Sequence, residues 1–161
     1  MKRVRMAAVA AAFGMMALAG GAQAQMVDKK GLTLEAAKKI AAAAEAEAVK
    51  NKWNVVIVVV DEGGQIVYLQ RMDGTQYGSV NVAIAKARTS TAFKRPTKVF
   101  EDAIAGGRTA LLGVDDALPL EGGIPLTFGG QIVGAIGVSG VTSQQDGVVA
   151  KAGAESLSAD K

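Results

Sequence analysis

Gly122–Gly140, GGIPLTFGGQIVGAIGVSG, is the stretch whose reading decides the fold. Gly129-Gly130 interrupts two apolar runs, Ile124–Phe128 and Gln131–Val138. Paired glycines accept the positive φ angles of a tight turn, so a β-hairpin is predicted here. In its second arm Ile132, Gly134, Ile136 and Val138 share one face, and Val133, Ala135 and Gly137 share the other. The second face is almost bare. Such a face admits close approach by a helix, a second subunit or a flat ligand.

Working outward, the same device recurs upstream. Val55–Val60 leads through Asp61-Glu62-Gly63-Gly64 into Gln65–Gln70, and Gly63-Gly64-Gln65-Ile66-Val67 reappears as Gly129-Gly130-Gln131-Ile132-Val133. The two hairpins are expected to share one turn and to form the halves of one antiparallel sheet. Between and around them fall helical patterns. Thr33 is placed to cap an alanine-rich helix over Leu34–Lys52, and Ser79 to cap one running to Phe93 with a stripe of Val80, Ile84, Ala87 and Thr91. On that helix Lys86 and Arg88, continued by Lys94 and Arg95, form a basic edge, and Pro96 ends the element. Thr97 opens a short helix through Ile104, Arg108–Leu120 is irregular, and Ser143 with Asp146 has capping-box spacing for a last helix to Leu157. The order helix, hairpin, helix, helix, hairpin, helix predicts an α+β domain, one antiparallel sheet with helices packed on it. No G-x-G-x-x-G follows a strand and no Gly-Lys pair exists for a P-loop, so nucleotide folds are disfavoured.

Met1–Ala24 is kept out of the fold. Lys2, Arg3 and Arg5, the apolar run Met6–Ala19 and the small-x-small Ala22-Gln23-Ala24 compose a secretory signal peptide, which predicts export to the periplasm. The run is shorter than the ~20 residues of a spanning helix. The net charge of +3 resides there, because three of the 18 basic residues and none of the 15 acids precede Ala24. The mature part, residues 25–161, is neutral, gives no support to a nucleic-acid partner, and has the length of one domain. The chain holds no cysteine and no histidine. Disulfides, thiolate metal sites, cysteine nucleophiles, and histidine bases or ligands are thereby excluded.

Several pieces together give the chain a resemblance. They are Val60-Asp61-Glu62-Gly63-Gly64, Arg71-Met72-Asp73-Gly74, Lys86-Ala87-Arg88-Thr89 with Phe93, Arg95 and Pro96, Gly122-Gly123-Ile124-Pro125, and Gly134-Ala135-Ile136-Gly137-Val138-Ser139-Gly140. Gln145-Asp146 and Ala150-Lys151-Ala152-Gly153 follow. In combination the chain resembles the GlcG/HbpS family, the haem-degrading domain family also found as the C-terminal domain of PduO-type proteins. The resemblance implies a profilin-like α-β-α domain, assembly into rings or octamers, and binding of haem by some members.

Haem requires an apolar slot, an axial ligand and cations for its propionates. Without histidine or cysteine the candidate ligands are Tyr68, Tyr77 and Met72, and Lys86, Arg88 and Arg95 are candidate propionate partners. Glu121, directly before Gly122-Gly123 with their amides, would form the polar end of a pocket. A rival reading is an enzyme acting on a small organic acid or carbonyl compound. In it Lys86 is a buried base or Schiff-base amine and Glu121 an acid–base group, with Asp61, Glu62 and Asp73 as further carboxylates at strand ends. A third is a non-catalytic oligomeric carrier or assembly protein whose small-residue helices and bare strand face serve subunit packing.

Overall fold

The structure, a computed structural model, describes residues 27–158. The signal segment expected over residues 1–24 lies outside them. In chain order the elements are α1 (Leu34–Lys50), β1 (Val56–Asp61), β2 (Ile66–Arg71), α2 (Gly78–Phe93), α3 (Lys98–Ala105), β3 (Gly123–Phe128), β4 (Gln131–Ser139) and α4 (Ser143–Ser158). The strands form one antiparallel sheet in the order β2-β1-β4-β3, so the two hairpins meet along β1 and β4. Helices α1 and α4 cover one face and α2 the other, an α+β fold with the expected α-β-α layering.

The unbroken apolar run of β1 follows from that sandwich. Val55, Ile57 and Val59 join the α1/α4 core, while Val56, Val58 and Val60 face Ala83 and Ala87 of α2. The bare face of β4 is taken by α2. A side chain on Gly137 would run into the Ala83 carbonyl, so the helix backbone lies directly on the strand. The small residues of α1 are likewise used within the chain, because Gly153 of α4 lets its backbone approach the Ile40 carbonyl and Ala44.

Some sequence expectations are corrected. Gly129 and Gly130 both have positive φ and close a two-residue turn between paired Phe128 and Gln131. The first hairpin turns differently. Asp61 N–H donates to the Gln65 carbonyl across a three-residue loop, only Gly64 is left-handed, and the Asp61 carboxylate accepts the Gly63 and Gln65 N–H groups, each at 2.9 Å. A register shift opposite Leu126/Thr127 carries Val133 onto the α1/α4 face against simple alternation. Ser79 is buried inside α2, because a tight turn from Gln76 already starts the helix. The Arg108–Leu120 stretch contains a 3₁₀ turn, Thr109–Gly113. The capping box of α4 is Thr142 with Gln145, each side chain accepting the other's N–H, at 3.4 and 3.2 Å. Asp146 is thereby released from capping.

Candidate functional site

Lys86 belongs to α2, on one side of the sheet, and Asp146 to α4, on the other. Lys86 is 1% exposed, yet its ammonium finds Asp146 Oδ2 at 2.7 Å and the Val138 carbonyl at 3.0 Å. The side chain passes the end of the edge strand at Gly122 and Gly123. A Cβ on Gly122 would stand 2.8 Å from Lys86 Nζ, and one on Gly123 would strike the Lys86 carbonyl. The two glycines thus open a passage through which an ion pair ties the helical layers together. Asp146 Oδ1 accepts the Val141 N–H at 3.2 Å. Burial pushes its carboxyl above the usual range, and the Lys86 hydrogen bond opposes that shift.

This geometry bears on several expected site residues. Lys86 is not part of a solvated basic edge. The Gly122-Gly123 pair is buried, and the Gly123 N–H donates to Thr97 Oγ1 at 2.9 Å, which also occupies the hydroxyl expected to cap α3. Glu121 lies beside this passage, its carboxyl packed on Gly147 and 4.0 Å from Lys98 Nζ. Its N–H donates to Glu101. Desolvation first, then the neighbouring Glu101 and Asp102, raise its carboxyl above the ordinary 4.5, against the pull of Lys98 and Lys86. Among the described residues no ion pair joins Lys86 to Glu121.

The expected haem residues divide between the faces. Tyr68 pairs with Val59 and lies with Met72 against the α1/α4 core, its hydroxyl donating to Gln70 at 3.0 Å. Tyr77 and Arg88 are on the α2 side. Tyr77 is 82% exposed with the Arg71 guanidinium 4.6 Å from its ring centre. Arg88 donates through Nε to the Gly64 carbonyl at 3.1 Å. Arg95 follows α2, bonded to the Phe93 carbonyl at 3.0 Å and 5.9 Å from the Phe100 ring centre. No one site gathers all of these residues.

What the α2 side does form is a trough. Ile66 and Leu69 of β2 pair with Val60 and Val58, so they face this side, and both remain exposed because α2 lies over β1 and β4. Tyr77, Asn81, Ile84 and Arg88 follow helical spacing along the flank of α2. The Arg88–Gly64 contact lies near the carboxyl half of α2 and the Arg71–Tyr77 pair at its amino end. At the Arg88 end the trough widens into a groove of about 720 Å³, walled by the first hairpin turn and the Asp116–Leu118 loop. Buried Thr89 pins that loop, its hydroxyl accepting the Leu118 N–H at 2.8 Å and donating to the Asp116 carbonyl at 3.3 Å. Among the described residues no carboxylate cluster is suited to a metal ion.

The sequence reading missed the Asp146 partnership and the stacking of Arg71. Thr142-x-x-Gln145 is the better capping box of the two overlapping frames, and that signal would have released Asp146. Nothing local announced the Arg71–Tyr77 contact.

Comparison with known proteins agrees with the fold. The family described as haem degrading protein HbpS-like matches residues 32–155. The chain belongs to the HbpS-like family. Protein GlcG of Escherichia coli strain K12 is 43% identical over 108 residues, covering 67% of this chain and 81% of GlcG. A double-mutant HbpS of Streptomyces reticuli superposes with a TM-score of 0.74 at 34% identity, covering 96% of this chain and 99% of that one. The PduOC–haem complex superposes at 0.71 with 25% identity, covering 79% and 95%.

Proposed function

We propose that the protein is an exported haem- or tetrapyrrole-binding protein of the GlcG/HbpS type that holds its ligand in the trough between β2 and α2. The observation that carries this reading is the groove of about 720 Å³ with Ile84 and Arg88 in its lining, next to exposed Ile66 and Leu69. A flat macrocycle with apolar faces and both carboxylates on one edge would turn that edge toward Arg88. Tyr77 is the candidate iron ligand, since its phenol reaches solvent at the rim and a phenolate suits ferric iron. Tyr68 is the weaker candidate, its hydroxyl already bonded on the opposite side of the sheet. Arg88 is the propionate partner. Bound haem would supply redox-active iron, the chemistry that haem degradation or iron holding requires. The basic and apolar N-terminal segment supports export, and the open edge of β2 supports a homo-oligomer, with an octamer the assembly that the family resemblance implies.

The test is a titration of the chain from Gln25 onward with ferric haem, followed by absorbance. The expected result is a saturable Soret shift at one equivalent per subunit. A phenolate charge-transfer band should vanish in Tyr77→Phe and persist in Tyr68→Phe, and Arg88→Ala should weaken binding. A titration that never saturates would overturn the proposal. Adding a reductant to the complex then distinguishes a haem carrier from a haem-degrading protein.

A further inference from the structure

On the other side of the sheet from the trough, an open recess of about 580 Å³ lies between the amino end of α1, the end of α4 and the β3–β4 hairpin. Its floor is Val133, 2% exposed, brought there by the register shift in β4. Leu32, Ala36, Phe128 and Leu157 form the walls, and Lys30 is the one charged residue lining it. The segment carrying Lys30 is tied to the hairpin, because its N–H donates to Gln131 Oε1 at 3.3 Å. Its ammonium is held 4.9 Å from the Phe128 ring centre, and among the described residues no carboxylate pairs with it. Beside it is the first turn of α1, where the Thr33 hydroxyl takes the Ala36 N–H at 3.1 Å. The Leu34 and Glu35 N–H groups of that turn lack intrahelical acceptors, while the exposed Glu35 carboxylate in the same turn leaves Lys30 as the cation of the rim.

An apolar recess with a positive rim takes a ligand of the complementary pattern. We propose that this recess binds an amphipathic monocarboxylate, its carboxylate meeting Lys30 and the amino end of α1 and its hydrocarbon lying on Val133, Leu32 and Leu157. Lys30 then exchanges its contact with the Phe128 ring for a charged acceptor, and Phe128, half in solvent, folds over the chain of the ligand.

The test uses the chain from Gln25 onward and two probes of equal chain length, dodecanoate and dodecyltrimethylammonium, measured by calorimetry below their micellar concentrations. Dodecanoate should saturate at one per subunit, and the cation should not bind. Lys30→Gln should weaken dodecanoate roughly fivefold, the scale of one exposed charge contact. Ala36→Trp, which fills the recess, should abolish binding while leaving the ferric-haem titration unchanged, since the trough is on the opposite face. Should Ala36→Trp fail to fold, the surface change Lys30→Glu serves instead and should weaken dodecanoate further than Lys30→Gln does, since it adds repulsion to the lost contact. Absence of saturation overturns the proposal. So does equal binding of the cationic probe, or full binding by a folded Ala36→Trp or Lys30→Glu variant.

Discussion

Lys86 and Asp146 are the residues whose roles the surroundings decide most completely. Both are almost wholly buried, and each is the other's charge partner at 2.7 Å. Removing one partner of such a pair leaves a stranded charge, at a cost of about 3–5 kcal/mol, whereas replacing both with apolar groups is often close to neutral. Lys86→Met should therefore lose stability on that scale in urea unfolding, and Lys86→Met with Asp146→Leu should recover most of it. A loss under about 1 kcal/mol in the single variant would show that the pair does not tie the layers together. Glu121 offers a test by pH. Its folded carboxyl titrates above the ordinary 4.5 because it is desolvated. The folded state then holds the proton more tightly than the unfolded state. Its contribution is fully present below pH 4.5 and is lost as pH rises through the raised value. Glu121→Gln should accordingly be more stable than the parent at pH 7, and the advantage should shrink below pH 4.5 in denaturation curves. The sequence placed Lys86 on a basic edge and made it a buried amine only in the enzyme reading, and nothing in it pointed to Asp146 as a partner. The sequence offers Asp146 to a capping box and to the interior alike, and only the packing of α4 on β4 chooses between them.

At the scale of elements, the two hairpins and the helices around them were readable because glycine pairs and apolar periods are local signals. The turns were not equally readable, since identical Gly-Gly pairs close different loops. Asp61 captures two N–H groups of the first loop, and among the described residues no side chain does so in the second. Close packing adds a further distinction among glycines. Gly137 lies under the α2 backbone, and Gly130 at positive φ has open space around it. Gly137→Ala should prevent α2 from seating and drop the thermal midpoint severely or abolish folding. Gly130→Ala should cost only its left-handed conformation, about 1–2 kcal/mol. A mild effect at both positions in circular-dichroism melts would contradict the direct seating of α2 on β4. Thr142→Ala should cost about 1 kcal/mol, the ordinary worth of a cap, in the same measurement.

For the whole molecule, the open edge of β2 and the family resemblance lead to the expectation that the chain from Gln25 onward self-associates. Light scattering should give a multiple of the monomer mass. A monomer at all concentrations would remove the assembly from the proposal. The absence of histidine and cysteine, the α+β class and the number of strands are properties of composition and local period, and the sequence alone determined them. Which helix covers the bare face of β4, the division of Tyr68 from Tyr77, the route of Lys86 past Gly122-Gly123, and the trough and recess were decided only by the tertiary structure. Each depends on residues from distant segments meeting across the sheet, and a contact of that kind leaves no periodic trace in the chain.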